Sequence, residues 1–319
     1  MAFQIAYSTK KEKNTRENQD NEDEIFIKET SSADDAVFIA SVLDGHQGRD
    51  AAEYVCDTMF DRIAGTLLTN PEDIQTEIKT VFQDVDKEYC EEKAIQLREI
   101  LFPKKKCCFP SRKNMIEPRQ RNLGCGCVLT LLCIHNNQLI LAGLGDCGIV
   151  FSSNGHACYS LLRHNPNVGF EYQRICSAGG RVINNRVEDM LGVSRSIGDI
   201  WFKKSYRDPN GDISTVKRYG VVFKCDVDLE FCIIATDGLF SIISFQMAIN
   251  IVKECLSHGK TGEDACDELV RRARLRTMDD ISVIILFFHV HKPSNTEELY
   301  LVPEEQTVRF FVLTKCSLL

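Results

Sequence analysis

Four short stretches place a carboxylate at the end of an apolar run. In SVLDGHQGRD (residues 41–50), the run 37–43 stops at Asp44, Gly45 and His46. In EFCIIATDG a second run ends on Asp237 and Gly238, whereas in TMDDISVIILFF the acids Asp279 and Asp280 precede the run. ILAGLGDCGIVF sets Asp146 in a tight turn between two strands. Taken alone, Asp-Gly is a favoured hairpin loop, because both positions tolerate positive φ. Two strands that end on an acid and an antiparallel one that begins on an acid can deliver all three to one sheet edge. Such carboxylates repel one another strongly unless cations sit among them. Aspartate oxygens are the preferred ligands of hard cations such as Mg²⁺ and Mn²⁺. The pattern therefore points to an oxygen-ligand metal cluster, with Asp44 as a bridging ligand and the Gly45 carbonyl beside it.

The elements that must hold these acids follow from composition and periodicity. The chain has 319 residues, a length that large two-layer sheet proteins reach as one unit, and 44% are hydrophobic, enough for a real core. The formal charge of -8 argues against nucleic acid as the main partner and permits a cation site. No apolar run approaches the ~20 residues that span a bilayer, and MAFQIAYSTKKEKN lacks the long apolar stretch of a signal peptide. The 15 cysteines are odd in number and form no Cys-x-x-Cys pair, so reduced thiols in a cytoplasmic protein are expected. Cys125 and Cys127 read as small buried strand residues, since no second Cys/His pair with zinc spacing follows.

Residues 52–68 repeat apolar positions at Val55, Met59, Ile63 and Leu67, which predicts a helix. A similar stripe runs from Ile74 through Ile78, Val81, Phe82 and Val85 to Tyr89, within 74–101. Helices are also expected at 245–257 and 263–275. Strand-like runs occupy 37–43, 127–134, 138–143, 148–152, 230–236 and 281–288, with a hairpin loop at 135–138. PKKKCCFPSRKN (103–114) reads as a solvated basic loop. Strands and helices come in blocks, with no internal repeat. That favours antiparallel sheets with helices packed outside, an α+β arrangement.

These residues resemble the metal-dependent protein serine/threonine phosphatases of the type 2C group, over about residues 14 to 290. ENQD (17–20) is similar to the family's acidic N-terminal metal motif, and LDGHQG (43–48) to its Asp-Gly-His-Gly-Gly. LILAGLGDCG (139–148) resembles its Ala-Asn-Val-Gly-Asp-Ser run, and Arg174, Ile175 and SAGGRV its Glu-Arg-Ile…Ala-Gly-Gly. LGVSRSIGDIWFK (191–203) is close to Leu-Ala-Val-Ser-Arg-Ala-x-Gly-Asp…Lys, and IIATDGLFS and TMDDISVII match the last two metal motifs. The resemblance implies two antiparallel β-sheets packed face to face with helices on both outer faces, a four-layer α/β/β/α sandwich. It makes 1–292 the catalytic domain and 293–319 a tail.

The resemblance also implies a chemistry, the hydrolysis of phosphoserine and phosphothreonine in phosphorylated proteins by a monomer. Two Mg²⁺ or Mn²⁺ ions would acidify a bridging water, and the resulting hydroxide attacks phosphorus in line. Asp44, Asp237 and Asp279 would hold one ion; Asp44, the Gly45 carbonyl and Asp20 would help hold the other, partly through water. His46 would protonate the departing oxygen. Arg16 is the candidate phosphate donor, although Thr15 stands in the strict register. Asp146 would take part in a weak third ion site.

Several positions depart from the family pattern. Ser241 replaces an acid that helps hold the third ion, so that site is expected to be weakened and Ser241→Asp to lower the metal requirement. RHNP (163–166) puts Arg163 where the family has an acid, GCGC brings Cys125 into a Gly-Ser-Thr-Ala motif, Asp280 replaces Asn, and RYGVV lacks a Pro-Glu. These differences leave an alternative: a pseudophosphatase of the same fold that binds phosphoproteins as a scaffold. A nucleotide-binding switch is disfavoured by the lack of a phosphate-cradling Gly-rich loop. The final residues Cys316, Ser317, Leu318 and Leu319 fit a prenylation pattern, which suggests peripheral membrane attachment through a lipid on Cys316.

Overall fold

All of residues 37–43 are buried, and alternate side chains enter different cores. A strand with both faces covered reads as a continuous apolar run rather than an alternating one. The computed structural model describes residues 3–13, 21–30, 36–69, 72–101, 122–136, 138–203, 219–223, 229–290 and 307–309.

In chain order the strands begin with β1 (Phe3–Glu12), β2 (Glu24–Thr30), β3 (Val37–His46), β4 (Gly126–His135) and β5 (Gln138–Leu144). They continue with β6 (Gly148–Ser153), β7 (His156–Ser160), β8 (Val182–Ile183), β9 (Arg186–Val187) and β10 (Ile197–Gly198). The last are β11 (Tyr219–Phe223), β12 (Phe231–Ala235), β13 (Ile281–Val290) and β14 (Thr307–Arg309). The helices are α1 (Asp50–Leu68), α2 (Ile74–Leu101), α3 (Gly169–Ser177), α4 (Phe245–Ser257) and α5 (Gly262–Arg274), and Asp237–Phe240 makes one helical turn. The predicted helices and strands all form. β1, β2, β7, β8, β9, β10, β11, β14 and α3 are additional, being too polar or too short to stand out in the sequence.

One sheet runs β14-β1-β13-β12-β6-β7 and the other β11-β5-β4-β3-β2, with β10 paired to β4. All the described pairings are antiparallel. Val37, Ile39 and Leu43 pack outwards against α1 and α2, while Phe38, Ala40 and Val42 face the other sheet. β12 mirrors this: Cys232 and Ile234 fill the space between the sheets, and Phe231, Ile233 and Ala235 meet α4 and α5. The result is the expected four-layer α/β/β/α sandwich. The segment expected to be a tail contributes β14, which pairs with β1 and forms the edge of that sheet. The described cysteines are all free thiols. Among the described residues no helix is long and apolar enough to cross a membrane.

Two clusters of buried ion pairs pin the segment after α3. The wholly buried Glu171 carboxylate accepts from Arg195 Nε at 3.0 Å and from Arg174 Nη2 at 2.6 Å, and Arg174 Nη2 also donates to the Ser194 carbonyl at 2.8 Å. Burial alone would raise the Glu171 carboxyl, but the hydrogen bonds from the two guanidiniums hold it down at about 2. Further on, the buried Lys203 ammonium donates to Asp86 of α2, whose Oδ1 also accepts from the Gly198 N–H at 2.9 Å. Residues 194–203 are thereby fixed at both ends.

Removing one partner of a buried pair strands the other charge and costs about 3–5 kcal/mol. Glu171→Gln should lower stability by that order in urea unfolding. Because the Glu171 carboxyl lies near 2 when folded against an ordinary 4.5, its contribution is complete above the ordinary value and is lost as pH falls towards 2. The gap between wild type and variant should therefore be widest near neutral pH and close in acid. An equal gap at all pH values would contradict this account.

Candidate active site

The Asp-Gly of β3 is not a hairpin. β3 stays paired with β4 through the acid, with Asp44 opposite Val128, Gly45 opposite Cys127 and His46 opposite Gly126. The chain turns only at Gln47 and Gly48, which take φ of 60° and 130°, and enters α1 at Asp50. Gly45 is required for another reason. Its N–H donates to the Glu22 carbonyl at 3.2 Å, and a Cβ there would stand 2.5 Å from that oxygen.

Antiparallel register brings the acids together. Glu24 pairs with Leu43, so the residues just before β2 lie beside Asp44. Leu129 pairs with Leu144, which carries the end of β5 and the Asp146 turn to the same end of the sheet. In the other sheet Ala235 pairs with both Gly148 and Val283, so Asp237, Asp146 and the 279–280 pair share that edge. Gly238 allows the closest approach: a Cβ there would lie 1.9 Å from the Asp280 carbonyl oxygen. Asp280 Oδ2 in turn accepts from the Glu22 N–H at 2.8 Å, and the Thr236 hydroxyl donates to Asp23 Oδ2 at 3.1 Å.

The electrostatics record the crowding. Burial pushes the Asp44 carboxyl well above its ordinary value, and Asp23, Asp237, Asp146 and Asp279 push it further. Asp23 rises to about 8, through burial first and then the charges of Asp280 and Asp279. Asp146 rises to about 7 through burial and Asp237, and Asp237 rises through burial and Asp279 while sharing a hydrogen bond with Asp44. Among the described residues no three His, Cys, Asp or Glu side chains already surround one point as ligands. The fit to hard cations lies in donor type and charge: several carboxylates share one edge, and a divalent ion would relieve their repulsion.

His46 stands beside this cluster. Its Nε2 lies 2.8 Å from both carboxylate oxygens of Asp199, and the Ser196 hydroxyl donates to the same carboxylate. Burial opposes charge on the imidazole, but Asp199, Asp146 and Glu22 outweigh it and leave the ring above its ordinary value. The His46 side chain is 25% exposed whereas Asp199 is fully buried, so the ring can meet an outside group while its partner cannot. Asp199 takes φ 51° and its N–H donates to the Cys125 carbonyl at 3.0 Å. Cys125 itself is a packing residue: its thiol donates to the Gln47 carbonyl at 2.9 Å, and burial pushes it up to about 12.

Of the residues expected from sequence, Asp44, Gly45, His46, Asp146, Asp237 and Asp279 meet at this edge. Arg16, Asp20 and Cys316, together with the 103–114 loop, lie outside the described residues. Among the described residues, the N-terminal segment brings Glu22 and Asp23 to this edge, which sequence reasoning missed because QDNEDE offers several registers. Asp199 and Asp280 were visible only as parts of longer motifs.

Comparison with known proteins agrees with this geometry. The family model for Protein phosphatase 2C matches residues 7–281. Probable protein phosphatase 2C 27 of Arabidopsis thaliana is 28% identical over 259 residues, covering 80% of this chain and 60% of that protein. Protein phosphatase 2C homolog 3 of Schizosaccharomyces pombe is 29% identical over 256 residues, covering 79% and 55%. Probable protein phosphatase 2C 42 of Oryza sativa subsp. japonica is 32% identical over 178 residues, covering 53% and 50%. The chain thus spans about half the length of these curated relatives. The crystal structure of serine-threonine phosphatase 2C from Toxoplasma gondii shares the fold, with a TM-score of 0.65 at 18% identity over 90% of this chain and 95% of that one.

Gly126 gives the sharpest test of the His46 arrangement. A Cβ there would lie 2.4 Å from both His46 Nε2 and Asp199 Oδ2. Gly126→Ala should separate the pair and cost about 1–3 kcal/mol of stability through overpacking. The imidazole nitrogen resonances of His46 should shift in NMR spectra. Unchanged resonances in a folded variant would show that the pair tolerates the methyl group.

Proposed function

Because this chain belongs to the protein phosphatase 2C family, we propose that it hydrolyses phosphoserine and phosphothreonine in phosphorylated proteins in a metal-dependent way. The observation that carries the proposal is the convergence of Asp23, Asp44, Asp146, Asp237 and Asp279 at one sheet edge beside a histidine whose side chain is one-quarter exposed. Asp44, Asp237 and Asp279, with Asp23 and the Gly45 carbonyl, would hold two ions, Mg²⁺ or Mn²⁺. Such ions would supply an acidified water for attack on phosphorus and positive charge for the phosphoryl oxygens.

The protein's own groups do the remaining work. His46 gives a proton to the departing serine or threonine oxygen as the P–O ester bond breaks. Asp199, fixed through residues 194–203, orients the imidazole and favours its protonated form. Gly45 lets the Glu22 backbone close on β3, which keeps the N-terminal acids against Asp44. Arg16 is proposed as the phosphate donor and Asp20 as a further ligand. A lipid on Cys316 is proposed to attach the protein to the cytosolic face of a membrane.

Millimolar Mn²⁺ or Mg²⁺ should switch on phosphate release from a phosphothreonine peptide, and EDTA should abolish it. Asp44→Ala and Asp237→Ala should lower kcat by several orders of magnitude, since each removes a charge from the ion site. Wild-type release no higher than that of Asp237→Ala would favour the pseudophosphatase alternative.

Mass spectrometry of the chain expressed in eukaryotic cells tests the lipid. The expected result is a prenylated C-terminal Cys316, with a Cys316→Ser variant moving to the soluble fraction. An unmodified end at Leu319 would exclude it.

A further inference from the structure

Arg163 occupies an unusual place for a cation. The next residue clips the chain to the Asp146 turn: the His164 N–H donates to the Gly145 carbonyl at 2.7 Å, and His164 Nδ1 accepts from the Gly145 N–H at 3.2 Å. Burial holds the His164 ring down at about 4, so it stays neutral and can accept. The clip carries Arg163 beside Asp146. From there Arg163 Nη2 donates to the Phe240 carbonyl at 3.2 Å, and its guanidinium lies 5.6 Å from the Phe240 ring centre and 5.3 Å from that of Phe245. The two rings pack edge to face at 4.8 Å, giving the guanidinium a rigid aromatic seat. Phe240 closes the helical turn that Asp237 opens, and Ser241 follows it. The guanidinium is therefore fixed between the Asp146 turn and the Asp237 turn.

The residues here do not fit a third divalent ion. Asp146 is present, but Ser241 is neutral and exposed, and Arg163 brings a positive charge to the same edge. A second cation next to a fixed guanidinium is repelled, and a single carboxylate is a poor site for a hard ion. We infer that Arg163 replaces the third ion, so that this chain binds two divalent cations and uses a covalently held charge beside Asp146. The inference rests on the two-ion reading above. Arg163 is then a positioning residue for Asp146 and Asp237, and its charge is independent of the free metal concentration. Restoring an acid at position 241 alone adds no ion, because the new carboxylate pairs with Arg163.

The test is the number of Mn²⁺ ions bound per full chain, counted by equilibrium dialysis with elemental analysis and by electron paramagnetic resonance. Wild type and Ser241→Asp should each hold two ions. The double variant Arg163→Gln with Ser241→Asp should hold three, since glutamine keeps an amide for the Phe240 carbonyl and removes the charge. Three ions in the wild type, or a third gained by Ser241→Asp alone, would overturn the inference. So would a folded double variant that still holds two. The wild-type count stands as a test even if the double variant fails to fold. No bound Mn²⁺ in the wild type would overturn the metal-site reading itself, and the inference with it.

Discussion

Like charges crowded into a low-dielectric edge govern this structure. Asp44 lies among Asp23, Asp146, Asp237 and Asp279, and each of Asp23, Asp44, Asp146 and Asp237 is held above its ordinary pKa, first by burial and then by its neighbours. A chain that folds to this state spends stability on the arrangement, since buried carboxylates that repel one another favour protonation or an added cation. The expense is met elsewhere, by three apolar cores whose members are almost entirely buried. The two sheets and four helices packed on their outer faces act as a rigid frame that keeps repelling groups in place.

A second tier of polar contacts sets the groups around the acids. Glu171 with Arg174 and Arg195 anchors one end of residues 194–203, and Asp86 with Lys203 anchors the other. Asp199 lies between these anchors in a left-handed conformation and meets His46 at the end of β3. Buried ion pairs are a demanding way to fix ten residues, because each needs near-complete hydrogen bonding to offset desolvation. Their effect is geometric: they hold one carboxylate against one imidazole. Arg163 performs a related task on the other flank, where a guanidinium seated on two aromatic rings faces the Asp146 and Asp237 turns.

Three glycines mark where backbone or side chains approach too closely for a Cβ. Gly45 admits the Glu22 carbonyl, Gly126 admits the His46 and Asp199 side chains, and Gly238 admits the Asp280 carbonyl. Each lies next to a functional side chain, because joining two sheets at one end brings their terminal turns into contact. The same closeness explains why β3 runs on through Asp44 and Gly45 where the dipeptide by itself suggests a hairpin.

The amino-acid sequence by itself determined the layers and most of the acids. Runs such as 281–288 and stripes such as 52–68 carry their period in local chemistry, and β13 and α1 form there because burial rewards that period. Asp44, Asp146, Asp237 and Asp279 were legible because each interrupts an apolar run at its end. Tertiary structure decided what depends on register between distant segments. QDNEDE holds four carboxylates, and only the pairing of Glu24 with Leu43 brings Glu22 and Asp23 to Asp44. His46 and Asp199 are 153 positions apart, and no local pattern announces that they share a hydrogen bond. Arg163 reads in sequence as a missing acid, and only the clip between His164 and Gly145 turns it towards Asp146. Periodicity is a property of neighbouring residues, whereas register and charge pairing are fixed by which strands exclude water together.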